Sequence, residues 1–385
     1  MGKTLRALGL MSGTSMDGID VALIETDGEE AVQRGPTATF PYSGEFRATL
    51  VTAIEDAKAV RRREDRPGIL RAAERRLTDL HAEAVEQFLA GRGLEAGVID
   101  VIGFHGQTVL HHAGTRSVTS SPSGSALTMT PTLTVQIGDG EALARRCRID
   151  VVYDLRAADV AAGGQGAPLA PVYHRALAAR LRDRPVAVVN VGGVANVTWI
   201  SKGGTLLAFD TGPGNALIDD WMLHHTGRAM DPEGSAAAGG EVHDDALTKL
   251  FINDYFGQLP PKSLDRNAFG MDAVRGLSVA DGAATLTAFT AAAIGRAREH
   301  FPEEPGLWVI CGGGRRNKTL MVTIAARVEC AVVPAEAVGF DGDAVEAEAW
   351  AYLAVRSLRG LPVTFPGTTG VPAPTRGGVL ARAGG

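Results

Sequence analysis

Residues 5–24 of the chain spell LRALGLMSGTSMDGIDVALI. The apolar residues from Leu5 to Met11 and from Ile19 to Ile24 are typical of two β-strands, and the Ser, Gly and Asp residues between them are typical of a tight turn. About 180 residues later the pattern returns, since the β-branched run VAVVNV (186–191) is followed by two glycines and another apolar run. This repeat of strand, glycine turn and strand predicts two similar α/β halves.

The overall composition excludes several classes of protein. The chain has 385 residues and 48 glycines, where an average usage of about 7% predicts about 27. With 45% hydrophobic and 21% charged residues and no collagen-like period, the excess glycine belongs to turns and close approaches of a folded chain. The net charge of −6 gives no general attraction to nucleic acid or to an anionic membrane. Three scattered cysteines and the lack of an apolar run of about 18 residues predict a cytoplasmic protein without a membrane span.

Glycine clusters follow three of the predicted strands, SGTSMDG at 12–18, NVGGVAN at 190–196 and CGGG at 311–314. A glycine-rich turn exposes consecutive backbone N–H groups without Cβ atoms, which suits phosphate oxygens. In the first turn, Asp17 adds a carboxylate for a hydrated Mg²⁺. A plain hairpin turn explains the first cluster equally well, but three clusters favour a nucleotide held between two lobes. Neither a P-loop nor a G-x-G-x-x-G pattern after a strand is present.

Asp210, in the segment FDTGPGN (209–215), is the candidate general base. It ends a predicted strand from Leu206, and the Gly-Pro-Gly turn after it would leave its carboxylate exposed to an attacking oxygen. The alternative is an aspartate that caps the helix beginning near Asn215, which is the more common role for such a residue judged alone.

Three further polar side chains are candidates for substrate binding. Arg156, in DLRAADVAAGGQGAPLAP (154–171), suits a substrate carboxylate. Its alternative role is a surface ion pair with Asp154 or Asp159. His105 and Gln107 follow another predicted strand, where their donors and acceptors suit sugar hydroxyls. A histidine satisfied inside the core is the alternative for His105.

Eight motifs in order along the chain resemble one family closely. They are GLMSGTSMDGIDVAL (9–23), GFHGQTVLH (103–111), QIGD (136–139), AAGGQGAPLAP (161–171), NVGGVANV (190–197), FDTGPGNALIDDW (209–221), PPKS (260–263) and VICGGGRRN (309–317). Together they make the chain similar to the anhydro-N-acetylmuramic acid kinases over essentially its whole length. The resemblance implies an α/β fold of two ribonuclease-H-like lobes, as in actin, Hsp70 and sugar kinases, with a nucleotide cleft between them.

The resemblance also implies ATP and Mg²⁺ as cofactors and assigns roles to residues. The expected nucleotide contacts are Ser12, Gly13, Thr14, Ser15, Met16, Asp17, Gly18, Ile19, Gly192, Gly193, Gly312, Gly313 and Gly314, with Asp17 near the metal. Asp210 becomes the catalytic base. The expected sugar contacts are His105, Gln107, Arg156 and Glu346, and Arg156 is our hypothesis for the carboxylate of the lactyl group.

The implied reaction opens the ring of 1,6-anhydro-N-acetylmuramic acid and phosphorylates O6, giving N-acetylmuramic acid 6-phosphate and ADP in peptidoglycan recycling. The partner would be this small molecule, with no nucleic acid and no membrane, and a homodimer is compatible with the pattern. Two alternatives stay open at this point. One is a kinase for an ordinary sugar hydroxyl, and the other is an ATPase binding module of the actin or Hsp70 type.

The expected domains are an N-terminal lobe at 1–150 and a C-terminal lobe at 151–357, with the tail 358–385 packing back on the first lobe. The first lobe would carry the first phosphate loop, and the second would carry Asp210, the second phosphate loop and the adenosine loop. The Ser/Thr/Gly/Pro-rich segment 113–131 predicts a loop that is longer than the family's usual connection. LDRNAF (264–269) also departs from the family pattern.

Overall fold

The computed structural model describes residues 2–13, 15–112, 114, 116–121, 124–129, 132–182, 184–265 and 268–384, with the backbone alone for 116–121 and 124–129. Its strands are β1 (Leu5–Ser12), β2 (Gly18–Thr26), β3 (Val32–Pro41), β4 (Val101–His112), β5 (Arg116–Ser121), β6 (Gly124–Met129), β7 (Leu133–Ile137), β8 (Val151–Tyr153), β9 (Val186–Val191), β10 (Val194–Ile200), β11 (Leu206–Pro213), β12 (Leu307–Cys311), β13 (Val332–Pro334) and β14 (Val379–Ala381). Its α-helices are α1 (Gly44–Ala57), α2 (Leu70–Ala90), α3 (Gly140–Cys147), α4 (Ala157–Ala161), α5 (Pro171–Ala178), α6 (Ala216–Thr226), α7 (Ser235–Ala238), α8 (Asp244–Leu250), α9 (Val279–Arg296), α10 (Lys318–Val328), α11 (Val345–Leu358) and α12 (Pro366–Thr369).

The chain divides into two compact units. Unit 1 comprises Met1–Ala176 and Glu346–Gly385, and unit 2 comprises Leu177–Val345. The predicted boundaries at 150 and 357 are therefore displaced. The reason is that β8 pairs in parallel with β4 of the first sheet, and the residues of α11 from 346 onward also belong to unit 1. Strand β14, from the C-terminal tail, pairs with β8 in the same sheet.

The sheet of unit 1 has the strand order β14-β8-β4-β1-β2-β3, with β7 pairing beside β4. Strands β1, β2 and β3 are antiparallel neighbours, while β4 runs parallel to β1, and β8 runs parallel to β4. The sheet of unit 2 has the order β11-β10-β9-β12-β13. There β9, β10 and β11 are antiparallel, and β12 and β13 are parallel additions to β9.

Both units therefore repeat one topology. In each, the first three strands form an antiparallel meander, and two later strands add in parallel beside the first strand. This is the ribonuclease-H-like arrangement, and the predicted fold class of two similar α/β lobes is confirmed.

In unit 1, the two faces of β1 have different neighbours, because side chains alternate along a strand. Leu8 and Leu10 are fully buried in the core formed with helices α1 and α2. Gly9, between them, faces α11, and a Cβ there would overlap the carbonyl oxygen of Ala347. Gly103 on β4 meets the same helix at Trp350 O. These glycines let α11 pack directly against the sheet.

In unit 2, β9 supplies the centre of the core. Its buried valines pack with residues of α9 and α10, including Ile294 and Leu320. A second cluster lies among the helices that follow β11, where the rings of Phe251, Phe256 and Phe289 contact one another.

The segment 113–131 differs from the predicted loop. Strands β5 and β6 pair antiparallel within it, from Arg116 opposite Met129 to Ser121 opposite Gly124. The valine and threonine residues of these stretches favour extended backbone, which outweighs the turn-forming residues around them.

Candidate active site

The turn at 12–18 joins β1 to β2 in unit 1. Met16 has a left-handed backbone conformation with φ 54°, and its N–H donates to Gly13 O at 3.1 Å, which closes the turn. Ser15 Oγ donates to Asp17 Oδ1 at 2.8 Å, and both residues are exposed. The turn therefore presents a hydroxyl and a carboxylate to solvent.

A buried network holds this turn. Ser12 Oγ donates to Gln107 Oε1 at 2.5 Å, and Gln107 Nε2 donates to Gly13 O at 3.1 Å. The hydroxyl of Tyr42 lies 2.8 Å from Ser12 Oγ and is the donor there, because the single proton of Ser12 is already used. Burial raises the pKa of Tyr42, so this hydroxyl keeps its proton.

The network bears on two predicted ligand contacts. Ser12 and Gln107 are both fully buried. The amide of Gln107 fixes the turn, and its contact with a sugar hydroxyl stays a prediction. The hydroxyl of Ser12 likewise serves the turn, and the contact of Ser12 with the nucleotide stays a prediction. Ile19 is buried in the core, and a Cβ on Gly18 would lie 2.6 Å from Phe40 O. Thr14 lies outside the described residues.

The second and third glycine loops are neighbours in unit 2. Cys311, at the end of β12, lies opposite Asn190 of β9. Gly312 has a left-handed φ of 73°, and a Cβ there would overlap Asn190 Oδ1. The carbonyl oxygen of Gly192 accepts from Asn215 N at 2.7 Å, which ties the start of α6 to the second loop.

Arg315 fixes the third loop. Its guanidinium donates to Gly312 O at 2.9 Å, to both carboxylate oxygens of Asp343 at 2.9 and 2.7 Å, and to Glu336 Oε1 at 2.9 Å. The hydrogen bonds from Arg315 lower the pKa of Asp343 below its ordinary value, so the ion pair persists at neutral pH. Gly312 N donates to Gly342 O at 2.9 Å, which joins the same two segments again.

One glycine in each predicted loop is not required by the fold. A Cβ on Gly13, Gly192 or Gly313 would come no closer than 3.6, 3.7 and 3.7 Å to any atom beyond the chain neighbours. None of the three has a left-handed φ. The space in front of these backbone positions is open, as a phosphate would need.

Asp210 lies within β11, which continues to Pro213, so the predicted strand end at Phe209 is displaced. The register with β10 shifts here, because Asn196 pairs with Asp210 and Ala195 pairs with Gly212. Thr211 is thus the extra residue of a β-bulge, a device that re-aims side chains.

Asp210 is only 9% exposed, so it is less open than the sequence predicts, and its Oδ2 accepts from Leu264 N at 2.7 Å. Helix α6 begins at Ala216 with Asn215 in the N-cap position. The capping alternative is therefore not supported. Asp210 is a buried carboxylate held by a distant segment, an arrangement that suits a positioned base.

Arg156 and His105 meet in unit 1. Arg156 Nη1 donates to Gly166 O at 2.6 Å, and Nη2 lies 3.2 Å from His105 Nε2. A guanidinium can only donate, so His105 accepts at Nε2 and is neutral. Burial and the neighbouring guanidinium hold the pKa of His105 well below its ordinary value. Trp350 packs against both, 4.6 Å from the His105 ring and 5.3 Å from the guanidinium.

The ion-pair alternatives for Arg156 involve carboxylates that have other partners. Asp154 pairs with Arg63 at 2.5 Å, and Asp159 accepts from Gly166 N at 2.7 Å and from Thr369 Oγ1 at 2.5 Å. Arg156 is partly exposed, which suits a ligand contact. Glu346 lies exposed in the first turn of α11, and its contact with the sugar stays a prediction.

Sequence reasoning did not find Tyr42, Tyr255, Lys262, Trp350 and Arg315, which hold the candidate residues in place. Several of them act through partners far away in the chain, as in the 30-residue separation between Tyr42 and Ser12 and the 45-residue separation between Tyr255 and Asp210. Within the described residues, no group of three or more His, Cys, Asp or Glu side chains is arranged to hold a metal ion.

Residues 5–382 match the family model for anhydro-N-acetylmuramic acid kinase. The chain belongs to the anhydro-N-acetylmuramic acid kinase family. Curated relatives carry the same name. One from Methylobacterium nodulans is 52% identical over 98% of this chain and 100% of its own length. One from Agrobacterium fabrum is 51% identical over the full length of both.

Membership of the anhydro-N-acetylmuramic acid kinase family covers both units and all three glycine loops. A relative from Paramagnetospirillum magneticum is 51% identical over 97% of this chain and 98% of its own. In the part of the chain that the structure describes, no helix combines the length and apolarity needed to cross a bilayer.

Proposed function

We propose that the chain catalyses the ATP-dependent conversion of 1,6-anhydro-N-acetylmuramic acid to N-acetylmuramic acid 6-phosphate, with release of ADP, in the recycling of peptidoglycan. The observation that carries this proposal is the match to kinases of this name along the whole chain. The buried, positioned carboxylate of Asp210 supports it independently.

The nucleotide would be held by backbone N–H groups of the three glycine loops. The open positions at Gly13, Gly192 and Gly313 support this, because phosphate oxygens need close approach to the backbone. Asp17 fits Mg²⁺, since this ion commonly takes one or two carboxylates and completes its shell with water and phosphate oxygens. When bound, Mg²⁺ would neutralise charge on the phosphates.

Asp210 would act as the base in ring opening. It would take a proton from a water molecule as the water oxygen forms a bond to the anomeric carbon, C1. The bond from C1 to O6 breaks, and O6 keeps the electron pair. O6 then attacks the γ-phosphorus of ATP, and ADP leaves. The hydrogen bond from Leu264 N would keep the carboxylate oriented during proton transfer.

Arg156 would bind the lactyl carboxylate. Its guanidinium is fixed by Gly166 O, His105 and the face of Trp350, so little side-chain entropy would be lost on binding. His105 would orient Arg156, and Glu346 would contact the sugar from the start of α11.

We also propose a cytoplasmic location, where ATP is available and where the free cysteines Cys147, Cys311 and Cys330 would stay reduced. A homodimer stays a prediction, which light scattering after size-exclusion chromatography would test.

The proposed function is tested by following ADP release with Mg-ATP and three additions: the anhydro sugar, open-ring N-acetylmuramic acid and no sugar. We expect rapid ADP release only when the anhydro sugar is added. Equal rates with the open-ring sugar would indicate a kinase for an ordinary hydroxyl. Equal rates without sugar would indicate an ATPase binding module.

The role of Asp210 is tested with Asp210→Asn. The amide can still accept from Leu264 N, so the fold and ATP binding should persist, while kcat should fall roughly 10²–10⁴-fold for loss of the base. A matched control is Asp231→Asn, because Asp231 is also buried in unit 2 and accepts two backbone N–H groups at the start of α7. Near-normal turnover of Asp210→Asn would assign this carboxylate to structure alone.

A further inference from the structure

One short segment of chain holds the backbone and the carboxylate of Asp210. Asp210 N donates to Lys262 O at 3.0 Å, and Leu264 N donates to the carboxylate. The hydroxyl of Tyr255 donates to Asp210 O. The base is thus held at three points by residues 255–264.

Lys262 joins the two ends of this segment. Its Nζ donates to Tyr255 O at 3.2 Å and lies 4.6 Å from the centre of the Tyr255 ring. The ring of Phe209, next to the base in β11, is 5.9 Å from the same ammonium. Lys262 therefore links Tyr255, whose hydroxyl donates to Asp210 O, to residues 262–264, which bind the backbone N–H and the carboxylate of Asp210.

The burial of this ammonium needs an explanation. Lys262 is only 6% exposed, and the charged or titratable groups near it are Arg296, Glu299 and His300, besides Asp210. An ammonium group loses solvation free energy when it is buried, and a hydrophobic side chain of similar size is often as stable or more stable in such a place. Burial together with Arg296 lowers the pKa of Lys262 to about 8. Stability alone therefore gives no reason for a lysine here.

We propose that Lys262 is a positioning residue for Asp210, holding the segment 255–264 closed around the carboxylate so that it stays aligned for proton transfer. This inference rests on the proposed function. It assigns to the PPKS motif a role in orienting the base, exerted through Tyr255 and the backbone of residues 262–264.

The test compares Lys262→Met with the wild type. Methionine fills similar volume without the charge or the hydrogen bond. We expect an unfolding temperature equal to or above that of the wild type, an unchanged KM for ATP, and a kcat lowered about 10–100-fold, since a shift of about 1 Å in a reacting group can cost 10²-fold. The acid limb of the pH profile of kcat/KM for the sugar should also move to higher pH, because the carboxylate loses the nearby ammonium charge as well as its hydrogen bond from Leu264 N. Lys249→Met, at an exposed position on α8, is the matched control and should change none of these values.

A second variant keeps the test decisive if Lys262→Met does not fold. Tyr255→Phe keeps the ring under Lys262 and removes only the hydroxyl that donates to Asp210 O. It should reproduce the fall in kcat and the shifted acid limb, and the double variant should show less than the sum of both effects. A wild type that turns over the anhydro sugar while both variants keep normal kcat and pH profile would overturn the inference and leave the proposed function intact. A wild type without sugar-dependent turnover would overturn the proposed function itself.

Discussion

The open space at Gly13 makes a prediction that separates a phosphate loop from a plain hairpin turn. In Gly13→Ala, the new Cβ would lie 3.6 Å from Ser15 Oγ and 4.0 Å from Met11 Cε, which is ordinary contact. The backbone at this position is not left-handed. The substitution should therefore leave the protein without nucleotide as stable as the wild type, or about 0.4–1 kcal/mol more stable through the unfolded chain.

ATP binding should respond differently. A Cβ at Gly13 occupies the space from which a phosphate oxygen would approach the backbone N–H groups. Loss of one hydrogen bond to a charged group is worth about 1.5–3 kcal/mol, which corresponds to a roughly 10–100-fold weaker Kd for ATP. Alanine at Gly192 or Gly313 should have the same effect, because these positions are equally open.

The assay is isothermal titration of Mg-ATP together with thermal unfolding of the protein alone. Gly97→Ala is the matched control, because a Cβ there meets nothing within 4 Å and Gly97 precedes β4, which pairs with Ser12 only further along, at Gln107. Gly18→Ala is the opposite control, since its Cβ would lie 2.6 Å from Phe40 O and should destabilise the fold by about 1–3 kcal/mol. Wild-type ATP affinity in Gly13→Ala would refute the assignment of this turn to phosphate.

Other predictions concern the sugar site, the turn network and a buried histidine. Arg156→Leu should raise KM about 10–100-fold for the sugar that carries the lactyl carboxylate and should leave KM for 1,6-anhydro-N-acetylglucosamine unchanged. The control Arg63→Leu should change KM for neither sugar. An equal rise in KM for both sugars would contradict the carboxylate contact. Gln107→Leu should lower the unfolding free energy by about 1–3 kcal/mol and raise KM for ATP, because Gly13 O and the Ser12 hydroxyl lose their hydrogen-bond partner. An unchanged KM for ATP would show that this network does not support nucleotide binding. His81 is fully buried, and burial lowers its pKa from 6.5 to about 4, so its stabilising contribution is complete above pH 6.5 and is lost as the pH falls towards 4. The unfolding free energy of the wild type should drop by about 2 kcal/mol more than that of His81→Gln between pH 7 and pH 5, and parallel curves in chemical denaturation would contradict this.

Local pattern was sufficient to predict the pair of strands and the turn that open each half. Alternating or β-branched apolar runs next to glycine identified β1, β2, β9 and β10, because these features act over a few residues. The family motifs supplied the correct fold class. The sequence also singled out Asp210, which the structure shows to be buried and held by a backbone N–H from a distant segment.

Tertiary partners could not be predicted in the same way. The groups that hold Asp210 lie 45 and 54 residues further along the chain, at Tyr255 and Leu264. Gln107 has the side chain of a good sugar ligand, and only the positions of Ser12 and Gly13 reveal that its amide is already used. The boundaries of the units were displaced for a similar reason, since the three residues of β8 carry too little pattern to show which sheet they join.

Coupled ring opening and phosphorylation would leave a distinct pattern of oxygen label in the product. The reaction would be run with Mg-ATP and the anhydro sugar in H₂¹⁸O, stopped early and analysed by mass spectrometry with fragmentation. Unlabelled N-acetylmuramic acid 6-phosphate kept in H₂¹⁸O for the same time corrects for exchange at the anomeric carbon. We expect one ¹⁸O atom at C1 and none in O6 or in the transferred phosphoryl group. A product without ¹⁸O at C1 above the exchange control, or with label in the phosphoryl group, would contradict attack of water on the sugar ring.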